Sequence, residues 1–256
     1  MKIIHGFIIA FSKFSKLPIP FIQWEKDKLD YVYCFWPLVG FVLGFFQLLI
    51  FMFCSAYKLG YILRAALFTI TPIFFTGGTH IKGYMTTHEA LSMRGTPSEL
   101  LAFMELGHIG SVSIVYVIAY TILSFCSYIY IDTFPKVMVM LAGIILSRAL
   151  ASTTLLSMEC VKKKGTFFGF CNGANKLALG VASGFWIIVS LIIIEIYMPI
   201  LGIFLMMAEL IFLFIYTYMA TKKLGGITGD TTDYYQMISE IIALVCTACG
   251  GMIFDA

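Results

Sequence analysis

Tyr31-Val32-Tyr33-Cys34-Phe35-Trp36-Pro37-Leu38-Val39-Gly40-Phe41-Val42-Leu43-Gly44-Phe45-Phe46-Gln47-Leu48-Leu49-Ile50-Phe51-Met52-Phe53-Cys54-Ser55-Ala56 carries no charged residue. A helix of this length crosses a hydrocarbon core of about 30 Å. Working outward, comparable apolar runs lie near 60–76, 111–131, 137–156, 177–197, 198–220 and 235–253. With 60% hydrophobic and 12% charged residues in 256, the chain departs from soluble domains, where about a quarter of residues are charged. The runs are too long and too evenly apolar for the alternating strands of a membrane barrel. The expected fold is therefore an all-α integral membrane protein, a polytopic helical bundle of about seven spans in a single membrane-embedded domain over residues 1–256. Met1 to Phe11 holds a short apolar stretch with no small-residue cleavage site, which predicts an interfacial helix.

Positive charge sets the expected orientation, because Lys and Arg are retained in short cytoplasmic loops. With the N-terminus inside, Lys2, Lys13, Lys16, Lys26, Lys28, Lys82, Arg94, Lys162, Lys163, Lys164, Lys176, Lys222 and Lys223 face the cytoplasm, leaving Lys58 and Lys136 outside. The segments at 77–110, 157–176 and 221–234 then share the cytoplasmic side, where several loops can build one site. Of the seven cysteines, Cys34, Cys54, Cys126, Cys246 and Cys249 fall in spans as small apolar fillers, and the Cys246-x-x-Cys249 spacing has no second ligand pair.

Four polar patches interrupt the apolar pattern. Leu17-Pro18-Ile19-Pro20 is an elbow that no helix passes. Gly77-Gly78-Thr79-His80-Ile81-Lys82-Gly83-Tyr84-Met85-Thr86-Thr87-His88-Glu89 is a glycine-rich run that continues to Leu106-Gly107-His108-Ile109-Gly110. Paired glycines let backbone N–H groups approach a phosphate, while His80, His88 and Glu89 can ligate a metal or move a proton. The plainer alternative is a hydrated loop whose histidines only hydrogen-bond. Ser147-Arg148 puts a guanidinium inside a span, a site candidate by default and a planar phosphate clamp by chemistry. The following Lys162-Lys163-Lys164 run more simply contacts anionic lipid. Gly225-Gly226-Ile227-Thr228-Gly229-Asp230, with Asp233 and Glu240, spaces carboxylates so that a helix after the turn aligns them for Mg2+. Asp230 as an N-cap is the competing reading.

In order along the chain, Leu17-Pro18-Ile19-Pro20, Trp36-Pro37-Leu38-Val39-Gly40 with Gly44, Phe75-Thr76-Gly77-Gly78-Thr79-His80, His108-Ile109-Gly110, Ser147-Arg148 and Gly226-Ile227-Thr228-Gly229-Asp230 resemble the cobalamin synthase family, the adenosylcobinamide-GDP ribazoletransferases. The resemblance covers nearly the whole chain. It implies a Mg2+-dependent transfer in which alpha-ribazole or its phosphate attacks the phosphate of adenosylcobinamide-GDP and GMP leaves, in the last steps of cobalamin biosynthesis. Carried onto this sequence, it implies catalytic roles for His80, Glu89 and Asp230, and substrate or phosphate contacts from Gly77, Gly78, Lys82, His108, Arg148, Thr228 and Gly229. The metal ligands would come from Glu89, Asp230, Asp233 and Glu240. The family loop, Gly-Gly-x-His-x-Asp-Gly-x-x-Asp-x-x-Asp, aligns its three aspartates with Lys82, Thr86 and Glu89, and two further acidic positions align with Leu106 and Met237.

The resemblance further implies a multi-pass protein of the bacterial plasma membrane with its site facing the cytoplasm. Expected partners are the two substrates and the lipid bilayer, without nucleic acid; a homo-oligomer is compatible with both. Two other readings stay open. The replaced aspartates favour a cobinamide- or nucleotide-binding relative without catalysis, and Arg148 with the in-span Glu195, Glu209 and Glu240 is compatible with a small-solute transporter.

Overall fold

The computed structural model describes residues 1–20, 22–25, 28–107 and 109–254. In chain order the helices are α1 (Lys2–Phe14), α2 (Trp36–Ala56), α3 (Tyr61–Thr76), α4 (Thr79–Ser92), α5 (Pro97–Leu106), α6 (Ser111–Ile129), α7 (Phe134–Ser157), α8 (Thr166–Gly173), α9 (Lys176–Tyr197), α10 (Leu201–Met219) and α11 (Gly229–Phe254). A 3-10 turn, Tyr33–Phe35, leads into α2, and a π turn, Ala220–Leu224, extends α10. Among the described residues the strand-like pairing is one isolated parallel bridge between Cys160 and Ile227. The chain is an all-helical, multi-pass membrane protein.

Among the described residues, five segments are long and apolar enough to cross a bilayer: Tyr33–Ala56, α6, α7, α9 and Leu201–Leu224, with α3 and α4 together a sixth that bends by 91°. The expectation of about seven spans is corrected at 60–76. The run at 60–76 forms a 16-residue helix, about 24 Å long at 1.5 Å per residue and short of a full crossing by itself. The run at 235–253 belongs to a helix that starts earlier, at Gly229, and carries Asp230 and Asp233 ahead of the apolar run.

Helix α7 forms the axis of the bundle. It is buried almost without interruption from Val137 to Leu155, and α2, α9 and α11 pack around it. The outer helices show the reverse pattern. On α9, Val181, Phe185, Ile188, Ile192 and Ile196 are exposed at steps of three and four, one apolar stripe of a kind that lipid solvates.

The bend between α3 and α4 is written in three residues. Pro72 sits inside α3 and has no N–H to give the carbonyl of Phe68 one turn earlier. Gln47 of α2, fully buried, supplies the missing donor: its Nε2 lies 3.2 Å from the Phe68 oxygen. Gly77 and Gly78 then adopt left-handed φ values of 65° and 73°, and the Gly78 N–H returns 3.1 Å to the Ile73 carbonyl to close the helix end.

The segment 77–110, expected as a loop, is two helices. Helix α5 is opened by Thr96, whose hydroxyl accepts from Glu99 N while the Glu99 carboxylate accepts from Thr96 N at 2.8 Å. The polar connections do converge. Lys162 pairs with Glu105 at 3.2 Å, Val161 N donates to Ile227 O at 3.1 Å, Ile227 N to Glu159 O at 2.9 Å, and Lys223 reaches the Leu91 carbonyl at 3.4 Å. Lys16 N, in the elbow expected from Pro18 and Pro20, donates to Phe75 O at 2.7 Å beside the glycine bend.

Candidate functional site

Helix α4 lies along α11, and Gly83 is where the two backbones meet. A Cβ at that position would stand 2.6 Å from Asp233 Cβ and 3.0 Å from Asp230 Cα. No larger residue fits there without pushing α4 off the carboxylates. On the other side, Thr228 organises the start of α11: its hydroxyl accepts from Thr231 N at 3.2 Å, and its own N–H donates to Thr231 Oγ1 at 2.8 Å. Asp230 is therefore not the N-cap. It stands in the first turn, its carboxylate without a hydrogen-bond partner among the described residues, and Asp233 follows one turn on along the same face.

His80 is buried against two rings, centroids 5.9 Å from Phe14 and 5.8 Å from Trp36. Its Nδ1 lies 2.7 Å from Asp233 Oδ1. A carboxylate only accepts, so Nδ1 carries the hydrogen, and in the neutral imidazole Nε2 is left with a lone pair. Among the described residues that buried Nε2 has no partner. A histidine oriented by a carboxylate and presenting a free Nε2 is arranged to take a proton.

The charges around this pair are mixed. Burial first, then the neighbouring Asp233, raises the pKa of Asp230, while Lys162, Lys82 and Lys13 pull it back down. Burial lowers the pKa of Lys13, opposed by Asp233 and Asp230. Three ammonium groups thus lie within electrostatic reach of the two aspartates, and Lys82 is exposed. Lys13 is held over the rings of Phe14 and Phe170, 5.0 and 5.4 Å to their centroids.

Deeper in the bundle lies a second polar region, a cavity of about 50 Å3 between α3, α4, α6, α7 and α11. His80, Tyr120, Ser124, Arg148, Gln236 and Glu240 supply much of its polar wall. Arg148 donates to Glu240 Oε2 and to the Ile144 carbonyl, each at 2.9 Å, and both partners of the ion pair are buried. Gln236 Nε2 donates to the same Glu240 oxygen. His80 links this cavity to the aspartate–lysine mouth.

The residues singled out in the sequence therefore divide. His80, Lys82, Asp230 and Asp233 gather at the mouth, with the Gly77-Gly78 bend just before them and Thr228 and Gly229 forming the turn beneath. Gly77 is covered by the aliphatic part of Lys16. Arg148 and Glu240 pair inside the bundle. Glu89 lies apart: its carboxylate accepts from Ser113 N at 2.9 Å and Gly110 N at 3.2 Å, capping α6. His88 packs between Tyr84, Tyr116 and Tyr234. His108 lies outside the described residues. Among the described residues no three His, Cys, Asp or Glu side chains group to hold a metal ion, so the quartet Glu89, Asp230, Asp233 and Glu240 is not assembled as one centre. Lys13 and Gln236 were not legible as site residues. Lys13 sits in a distant, short helix, although a glutamine one turn before an in-span glutamate is a readable signal for Gln236.

The profile described as Cobalamin-5-phosphate synthase matches residues 6–248. A curated relative from Lachnoclostridium phytofermentans, named adenosylcobinamide-GDP ribazoletransferase, is 30% identical over 95% of this chain and 93% of its own. Relatives of the same name from Clostridium perfringens and Shewanella pealeana are 24% identical over 96% of this chain and 98% of theirs, and 27% identical over 92% and 91%. No solved structure matches.

Proposed function

Because the chain belongs to the Cobalamin-5-phosphate synthase family, we propose that it catalyses the ribazole transfer for which its relatives are named. The family match along nearly the whole chain carries this reading, and the His80–Asp233 couple beside Asp230 and three lysines is the geometry that supports it. The hydroxyl of the acceptor, alpha-ribazole or its phosphate, gives its proton to His80 Nε2 as its oxygen bonds the cobinamide-linked phosphorus. The bond from that phosphorus to GMP breaks, and GMP leaves with the electron pair. Asp233 holds the ring and stabilises the imidazolium that forms. Lys13, Lys82 and Lys162 face the diphosphate as point charges.

Asp230 and Asp233 fit a Mg2+ ion by donor chemistry, since Mg2+ takes one or two carboxylates and leaves its other positions to water and phosphate. Bound there, the ion would neutralise charge on the diphosphate. Glu89 and Glu240 hold other partners and are left out of that set. The lysine-rich connections around the mouth support a site on the cytoplasmic face of a bacterial plasma membrane.

The test is GMP release by the purified full chain in detergent, supplied with adenosylcobinamide-GDP, alpha-ribazole and Mg2+. Release that requires the acceptor is expected. A folded protein that binds adenosylcobinamide-GDP and releases no GMP would move the assignment to a non-catalytic binding relative.

A further inference from the structure

We infer that the cavity behind His80 is the seat of the acceptor's sugar, holding its vicinal hydroxyls against Gln236 and Glu240; this rests on the transfer reading above. Among the described residues, three buried polar atoms of residues that line the cavity have no partner: His80 Nε2, Gln236 Oε1 and the Ser124 hydroxyl. All three residues are at least nine-tenths buried, His80 and Ser124 with 4% and Gln236 with 1% of the surface exposed. The amide of Gln236 has a fixed direction. Its NH2 must face Glu240, because a carboxylate cannot donate, so its oxygen is the end left over.

Leaving such atoms dry is costly, so the cavity favours a ligand that brings hydrogen-bond donors. An anion is the wrong chemistry. The one guanidinium in the wall, Arg148, already has its charge balanced by Glu240 at 2.9 Å. Neutral hydroxyls suit the wall on both counts: they donate to His80 Nε2, Gln236 Oε1 and the Glu240 carboxylate, and their oxygens accept from Arg148. Size points the same way. About 50 Å3 holds the hydroxyl-bearing edge of a sugar, roughly the share of one or two waters, and excludes its base. His80 borders both regions, so a sugar seated inside brings a hydroxyl to Nε2 at the point where the mouth holds phosphate.

The experiment compares equilibrium binding of alpha-ribazole and its 2′,3′-dideoxy analogue to the full chain in detergent. Wild type is expected to prefer the diol by about tenfold or more. Gln236→Leu is expected to bring the two affinities within about twofold of each other while affinity for adenosylcobinamide-GDP is unchanged. If that variant does not fold, Gln236→Asn, which keeps the amide and withdraws it by one methylene, gives the same readout. Equal wild-type affinities, meaning a cavity that holds water only, or a preference that survives in the variants, would overturn the inference. GMP release separates the two readings: release with equal affinities removes the sugar seat alone, whereas a diol preference without release keeps the seat and removes the transfer.

Discussion

The two halves of α11 hold acidic residues on one face and use them in opposite ways. In the first turns Asp230 and Asp233 stand at the mouth, shared between His80 and three lysines, and among the described residues no ion pair at contact distance occupies Asp230. Two turns deeper, Glu240 is locked between Arg148 and Gln236. A carboxylate that must meet substrate stays loosely paired near water; one that must survive inside a bundle is paired and hydrogen-bonded. The contrast assigns proton transfer to the first half, while in the second the Arg148–Glu240 pair holds the fold together and walls the cavity behind His80.

Breaking the inner pair should have the largest effect. Arg148→Met leaves Glu240 buried without its counter-charge and should cost about 3–5 kcal/mol, read as a fall in the unfolding midpoint in detergent. Adding Glu240→Met should return most of that loss. A double variant as unstable as the single one would show that the pair is not the source of the stability.

Gln47→Leu comes next. It removes the donor that covers the Phe68 carbonyl orphaned by Pro72, at a cost of about 1–3 kcal/mol by the same measurement. A Pro72→Ala background restores the helix's own N–H, so the Gln47 substitution should then cost clearly less.

The mouth should respond through its ligands. Lys82→Asp replaces an ammonium within reach of Asp230 by a hard oxygen donor and should tighten Mg2+ binding about tenfold by calorimetry. Unchanged affinity would place the ion elsewhere. Asp230→Asn should have the smallest effect on stability, and in the opposite direction. The folded-state pKa of Asp230 is raised, so its ionised form is disfavoured on folding, and stability falls as pH rises through the interval between the ordinary carboxyl value and the raised one. The asparagine variant should therefore melt slightly higher than wild type at neutral pH and lose that margin in acid, while its Mg2+ binding weakens.

Sequence patterning carried most of the membrane architecture, because apolar runs as long as a bilayer have few other solutions. It misjudged the start of α11 and the segment after Gly78 for one shared reason. Both are polar helices stabilised by each other, through the Gly83 contact and the caps at Thr228 and Thr96, and hydropathy does not see a helix that is buried against a partner. At the site, residue types were legible and pairings were not. His80 and Asp233 lie 153 positions apart, and nothing in either motif names the other. Glu89 is the clearest case: its place in the glycine-rich run reads as a metal ligand, and the fold turns it towards the N–H groups that open α6. Lys13 entered through tertiary packing alone.

The division of labour along α11 is tested most directly by a double-mutant cycle on single-turnover GMP release, using His80→Gln, Asp233→Asn and the two combined, each checked for an unchanged unfolding midpoint. If the two side chains act as one proton-accepting unit, each single change should slow release by about 10²–10⁴-fold, and the combination should be no slower than the worse single variant. Losses that multiply in the double variant, or an Asp233→Asn protein that turns over at the wild-type rate, would contradict the coupling and with it the assignment of the chemistry to the mouth of the bundle.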